Sequence, residues 1–305
     1  MNVAKLGLLG AVVVIDTVFV IAWVRAVRRR TVSPEAPTWS DVVIGFITAF
    51  LDGLGIGSFA PTTALFKLRG RPPDELIPGT LNVGHCLAAL IETVVFITVV
   101  AVAPALLVGM IGSAMLGAWL GAGVVSRLSR RRIQLVMGLA LLIAASFFVM
   151  ANLGAFPAGG VAMDLGGWRF ALAVGVNFVL GALMTVGIGA YAPMMVMLAL
   201  LGLHPLGAFP IMMGSCGLLQ PVASLRFFRS GRFANGTSIG LTIGGIVGVL
   251  IAIFIVKQLP LRALRWLIAA VVLYASLAML QSARRERLAP AAPAVNPQPS
   301  VGVEP

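Results

Sequence analysis

Apolar runs about twenty residues long, separated by short arginine-bearing segments, recur along most of the chain. A helix needs about 20 apolar residues to cross a hydrocarbon core of about 30 Å. The runs at 6–24, 79–101, 104–125, 133–150, 206–225, 237–256 and 263–281 come close to or reach that length and are predicted as spans. Two more, 41–68 and 169–201, are too long for one ordinary span, and glycines and a proline interrupt each near its middle. The stretch 289–305 is rich in Pro and Ala without helical periodicity, which predicts a disordered tail.

The two interruptions share a pattern. The first reads Gly55-Ile56-Gly57-Ser58-Phe59-Ala60-Pro61, the second Gly187-Ile188-Gly189-Ala190-Tyr191-Ala192-Pro193, offset by 132 residues. The same offset, without a gap, aligns eleven identical residues over 46–78, among them Phe46/Phe178, Gly70/Gly202, Pro73/Pro205 and Pro78/Pro210. It also aligns Gly112 with Gly244 in two glycine-rich spans. Apolar residues match easily by chance, but glycines and prolines at fixed offset do not, so an internal repeat is expected.

Composition names the solvent. Apolar residues make up 59% of the 305 and charged residues 10%, against about 25% charged in soluble domains, and mean hydropathy is +1.03. The net charge of +12 is carried by short clusters between apolar runs rather than by a continuous basic face, so nucleic acid is not expected as a partner and a lipid bilayer is. The run 6–24 is followed directly by Arg25 to Arg30 and shows no small-x-small cleavage site, so it reads as a retained helix rather than a signal peptide.

Charge also sets the predicted topology. If each interrupted stretch enters and leaves on one side, with the N-terminus outside and the C-terminus cytoplasmic, seventeen basic residues fall inside and five (Lys5, Arg169, Lys257, Arg262, Arg265) outside. If each stretch crossed once, the Arg127–Arg132 cluster would move outside, against the positive-inside bias. Each repeat is then a broken hairpin plus three spans, and three being odd, the copies point in opposite directions. The expected fold is an all-α polytopic membrane protein, a single transmembrane domain over 1–305. It has an extra N-terminal helix at 6–24, two inverted-topology repeats of re-entrant-type hairpin plus three helices at 41–150 and 169–281, and a cytoplasmic tail at 289–305. That is a plan found in secondary transporters.

Candidate chemistry follows the breaks. Unpaired backbone in hydrocarbon costs several kcal/mol per group, so irregular backbone survives where it is buried or lines a cavity. One break alone is explained by close helix packing, whereas a pair at equivalent positions points to a substrate site. Pro61 and Pro193 fall where a second half-helix is expected to begin. The free N–H groups there, at the positive end of a helix dipole, make an anion site without a buried arginine. Asn82, His85, Ala89 and Glu92 share a helical stripe, with Ser215, Cys216, Gln220 and Ser224 on the comparable later span. Asp52, His85 and Glu92 are candidates for proton coupling; the alternative for His85 and Glu92 is a local hydrogen bond and a shallow depth. Cys86 and Cys216 have no CxxC neighbour, so no disulfide or metal site is expected. Small hydrophobic packing is their first reading and sulfur handling the second. Gly117, Gly121, Gly240, Gly244 and Gly248 follow the small-xxx-small spacing of close helix contacts.

Residues 41–101 and 169–226, with the Gly-Ile-Gly turn, the following Ala-Pro and the prolines at 73 and 205, resemble the sulfite exporter TauE/SafE family. The resemblance implies a two-halved permease for sulfite, thiosulfate, sulfoacetate or similar anions, binding at Gly55, Gly57, Ser58, Gly187, Gly189 and Ala190. Phe59, Tyr191, Asn82 and Ser215 complete the candidate site. The expected function is a multi-pass permease in a bacterial inner membrane for a small anion, a sulfur oxyanion or organosulfonate, without a cofactor, with homo-oligomerisation left open. Two alternatives stand beside it: a cation or soft-metal transporter using His85, Cys86 and Asp52, and a non-transporting assembly subunit. No zinc or nucleophile motif suggests an enzyme.

Overall fold

A computed structural model of the protein describes residues 3–29, 35–99, 102–187, 189–254 and 261–288. The expected tail at 289–305 and Ile188 of the second turn lie outside the described residues. Among those described, the chain is helical with no strand, apart from an isolated bridge between Ala162 and Leu203. After α1 (Val3–Arg28) come α2 (Trp39–Gly53), α3 (Phe59–Arg69), a 3-10 turn (Asp74–Leu76), α4 (Ile77–Gly84), α5 (Cys86–Val99), α6 (Pro104–Val125) and α7 (Arg130–Asn152). The second half holds α8 (Gly167–Met184), α9 (Tyr191–Leu200), α10 (Pro205–Ser230), α11 (Asn235–Phe254) and α12 (Leu261–Leu288).

Among the described residues, eight helices are long and apolar enough to cross a membrane, with Asp74–Val99 acting as one span. The hydrophobic pattern gives seven full spans and two interrupted stretches, and α8 supplies the difference. It starts at Gly167, before the apolar run, and reaches 18 residues, about 27 Å at 1.5 Å per residue. Its counterpart α2 has 15 residues, about 22 Å, and falls short of the core thickness. Local chemistry sets the start of α2. Thr38 accepts from the Asp41 N–H while the Asp41 carboxylate accepts from the Thr38 N–H, a reciprocal capping box.

The bundle is apolar outside and polar within. Leu116, Leu120 and Val124 on α6 and Ile243, Val247 and Phe254 on α11 are exposed, as are many residues of α1, whereas Asp52, Asn82, His85, Glu92 and Gln220 are buried. An exposed apolar belt this wide is a lipid-facing surface. Packing partners exchange between the halves: α2 lies along α11 as α8 lies along α6, and α7 and α12 pair with each other. Glycines permit both approaches. A Cβ on Gly244 would overlap the Val42 carbonyl of α2, and one on Gly117 would overlap the Phe178 carbonyl of α8. Gly121, Gly240 and Gly248 face neighbouring helices in the same way, as their spacing predicts.

Polar contacts gather the basic segments at one end. Arg69 pairs with Asp41, Arg130 with Glu75 and Glu286, and Arg232 donates to the Leu128 carbonyl at 2.5 Å. Asp74 accepts from Lys67 at 2.8 Å and from Gln134 at 2.7 Å, tying the turn after α3 to α7. Segments 157–169 and 201–205 meet elsewhere, through His204 N–H to the Ala162 carbonyl at 2.7 Å and Gly160 N–H to the Leu203 carbonyl at 3.1 Å. Asp74→Asn removes charge from hydrogen bonds each worth about 1.5–3 kcal/mol. The variant is expected to lose about 2 kcal/mol of stability in detergent thermal melts, with helicity at low temperature unchanged.

Candidate functional site

α2 stops because Gly55 and Gly57 take φ of 78° and 96°, values that L side chains rarely adopt. The Gly55 N–H returns to the Asp52 carbonyl at 2.7 Å, and the chain re-enters helix at Phe59. The second turn repeats this: the Gly187 N–H returns to the Met184 carbonyl at 2.9 Å, Gly187 has φ of 107°, and α9 starts at Tyr191. Pro61 and Pro193 fall at the third helical position rather than the first. They are still within the turn whose N–H groups lack intrahelical partners.

Both turns border one cleft. Leu54, Gly55 and Ile56 form one wall, Tyr191, Ala192 and Met195 another, closed by α7 and α10, in a cavity of about 290 Å³. A small adjoining hollow is lined by Gly57, Ala60, Gly189 and Pro193. Phe147, Phe148 and Phe209 make the cleft aromatic, and among the described residues Arg265 on α12 is the one basic residue in its lining. None of these four is legible as a site residue in sequence, since the aromatics look like ordinary span residues. Arg265 stands out only as a charge at the start of an apolar run.

The two helix starts differ. Asp52 accepts from the Ser58 hydroxyl at 2.6 Å and from the Ser58 backbone N–H, so its carboxylate already occupies the N-terminal end of α3. The residue aligned with Asp52 is Met184, so α9 has no such resident acid. Ala190 is buried at the cap of α9.

Tyr191 stands between the cleft and the acids. Its ring lines the cleft, and its hydroxyl lies 3.1 Å from Glu92 Oε2 and 2.9 Å from Met213 Sδ, with Asp52 also in reach. Glu92 Oε1 has no partner. This constellation joins α2, α5, α9 and α10, and brings together Asp52, Ser58, Glu92 and Tyr191 from the expected site.

The remaining candidates lie around it. Phe59 is buried against the His85 ring, at 5.9 Å between centroids, and His85 Nε2 lies 2.9 Å from the Thr62 hydroxyl. Asn82 donates to the Pro78 carbonyl at 2.8 Å and to the Thr185 carbonyl at 3.4 Å, reaching the edge of the second turn. Ser215 accepts from Asn177 at 3.2 Å, in the contact between α8 and α10. Cys86 packs with Phe19, Val83 and Phe233 beneath α1, apart from both turns. Cys216 lies 3.5 Å from Met184 Sδ, close to the second turn. Among the described residues, no group of three His, Cys, Asp or Glu side chains is placed to hold a metal ion, so His85, Cys86 and Asp52 are not gathered into one site.

A helical bundle with a lipid-facing apolar belt, buried polar groups and two helix breaks around a common cleft is a multi-pass membrane protein. Residues 3–148 match the family model described as Sulfite exporter TauE/SafE, the family that the two turns resemble. The match takes in the first turn with Asp52, Ser58, His85 and Glu92, and the family suggests a membrane transporter. No curated protein and no solved structure matches the chain.

Proposed function

We propose that the protein carries a small anion, a sulfur oxyanion or organosulfonate, across the inner membrane by alternating access around the cleft between the two turns. The observation that carries this reading is the α9 start and Arg265 facing one cleft from different helices, with the first turn opposite. A helix start carries roughly half a positive charge, and Arg265 adds a full one. The cavity's 290 Å³ lies just below the range of about 300–1,000 Å³ for drug-sized ligands, as suits a small anion. Gly189 has open space around its Cβ position, leaving backbone accessible to a ligand.

In this reading the halves act in opposite senses, with the arginine-rich end in the cytoplasm and the N-terminus outside. An inside-negative potential of 100 mV favours anion exit by about 2.3 kcal/mol per charge. Export then needs no coupling ion, while import needs compensating protons. Asp52 and Glu92, joined through Tyr191 behind the cleft wall, are the groups to carry them, and His85 borders α3 from the other side.

Thermal melts of the purified protein against sulfite, thiosulfate, sulfoacetate, sulfate, taurine, chloride and divalent metals test this. A ligand at 100 times its Kd stabilises by about 2.7 kcal/mol. The expected result is a shift with a sulfur anion that Arg265→Gln weakens about tenfold in apparent affinity, or about 1.4 kcal/mol. A shift with metals alone, or with no solute, overturns the anion reading.

A further inference from the structure

A second cavity, of about 380 Å³, opens at the arginine-rich end between the C-terminal part of α6, the start of α7 and the last turns of α10. Arg127, Arg132 and Arg226 line it, and among the described residues none of the three is in an ion pair, although Arg130 beside them holds two carboxylates. Glu75 and Glu286 are taken by Arg130, and Arg232 is spent on the Leu128 carbonyl. Arg226 has its guanidinium 3.8 Å over the Trp119 ring, which aims it at the cavity, and its Nε is buried without a hydrogen-bond partner. Three guanidinium groups around one open hollow, one of them with a buried unpartnered Nε, favour an anion there, and the fork geometry of arginine suits a phosphate.

The apolar rim says which phosphate. Leu116, Leu120 and Val124 follow one another at helical spacing on α6 and are 63%, 57% and 62% exposed. They form a lipid-facing track that runs into the cavity through Leu120 and Val124. Trp119 stands at the junction, where an amphipathic ring anchors at a membrane interface. A soluble anion has no use for that track, whereas acyl chains do. We propose that this cavity holds the headgroup phosphate of an anionic membrane phospholipid, with its acyl chains along α6. The site is separate from the cleft between the turns.

The test uses the full-length protein in detergent, melted and weighed by native mass spectrometry with added phosphatidylglycerol, phosphatidylcholine or free glycerophosphate. Phosphatidylglycerol is expected to raise the melting point and stay bound, while phosphatidylcholine and glycerophosphate do neither. Arg127→Gln with Arg132→Gln, both exposed and without ion-pair partners among the described residues, keeps Arg226 on Trp119. Each basic group near an anionic headgroup contributes about 1 kcal/mol, so the double variant is expected to bind phosphatidylglycerol about 30-fold more weakly. Equal retention of both lipids, or an unchanged affinity in the double variant, overturns the proposal. A shift reproduced by glycerophosphate alone also overturns it, by showing a site for a soluble anion.

Discussion

Gly244→Val is expected to yield no folded protein, while Gly112→Val folds. The two glycines align at the 132-residue offset and look interchangeable. A Cβ on Gly244 meets the backbone of α2: it would overlap the Val42 carbonyl oxygen and lie 2.7 Å from the Phe46 nitrogen. Neither atom is the end of a flexible side chain, so α2 must move away from α11 along its length. That contact positions the first turn, and its loss is expected to cost more than about 4 kcal/mol, the range reserved for severe core damage. Around Gly112 nothing lies within 4 Å, and valine there is expected to change stability by under about 1 kcal/mol. Size-exclusion profiles and melts of the purified variants measure both. Similar behaviour of the pair would mean that the α2–α11 contact is wrong.

Tyr191→Phe is expected to fold and to transport poorly. The substitution keeps the ring that lines the cleft and removes the hydroxyl between Glu92, Met213 and Asp52. The Glu92 carboxyl then loses its bonded partner, and its other oxygen already has none. A hydrogen bond to such a group is worth about 1.5–3 kcal/mol, so the anion flux into liposomes is expected to fall at least about tenfold. A proton relay adds a second signature: the pH dependence of transport flattens in Tyr191→Phe and in Glu92→Gln alike. Wild-type flux with a wild-type pH profile in both variants would falsify the coupling role of this constellation.

The helix positions were readable because a membrane reduces sequence to length and hydrophobicity, and the breaks because Gly-Ile-Gly recurs at a fixed offset with Ala-Pro behind it. The close helix contacts were also readable, from glycine spacing on α6 and α11. The partners within the site were not. Nothing in the order of residues says that Tyr191 reaches across the halves to Glu92, 99 positions away, or that Asp52 turns back onto Ser58. The stripe Asn82–His85–Ala89–Glu92 places its polar groups on one helix face, yet His85 bonds Thr62, Asn82 reaches Thr185 and Glu92 meets Tyr191. A stripe predicts a shared direction, whereas partners depend on which helices cross it. Cys86 and Cys216 show the same limit: similar apolar surroundings in sequence, but one beneath α1 and the other near the second turn.

The difference between Asp52 and Met184 has a consequence for the symmetry of the proposed transport cycle. In a carrier whose halves exchange roles, identical breaks would make the inward-open and outward-open forms mirror states of equal energy. Such a device would show the same half-saturation from either side. A fixed carboxylate at one turn and a thioether at the other lift that degeneracy, so one resting form is favoured before any solute or voltage is present. If the proposed alternating access holds, unequal half-saturation on the two sides is the expected result. A Met184→Asp substitution, supplying the matching acid, is expected to narrow the gap between those two constants.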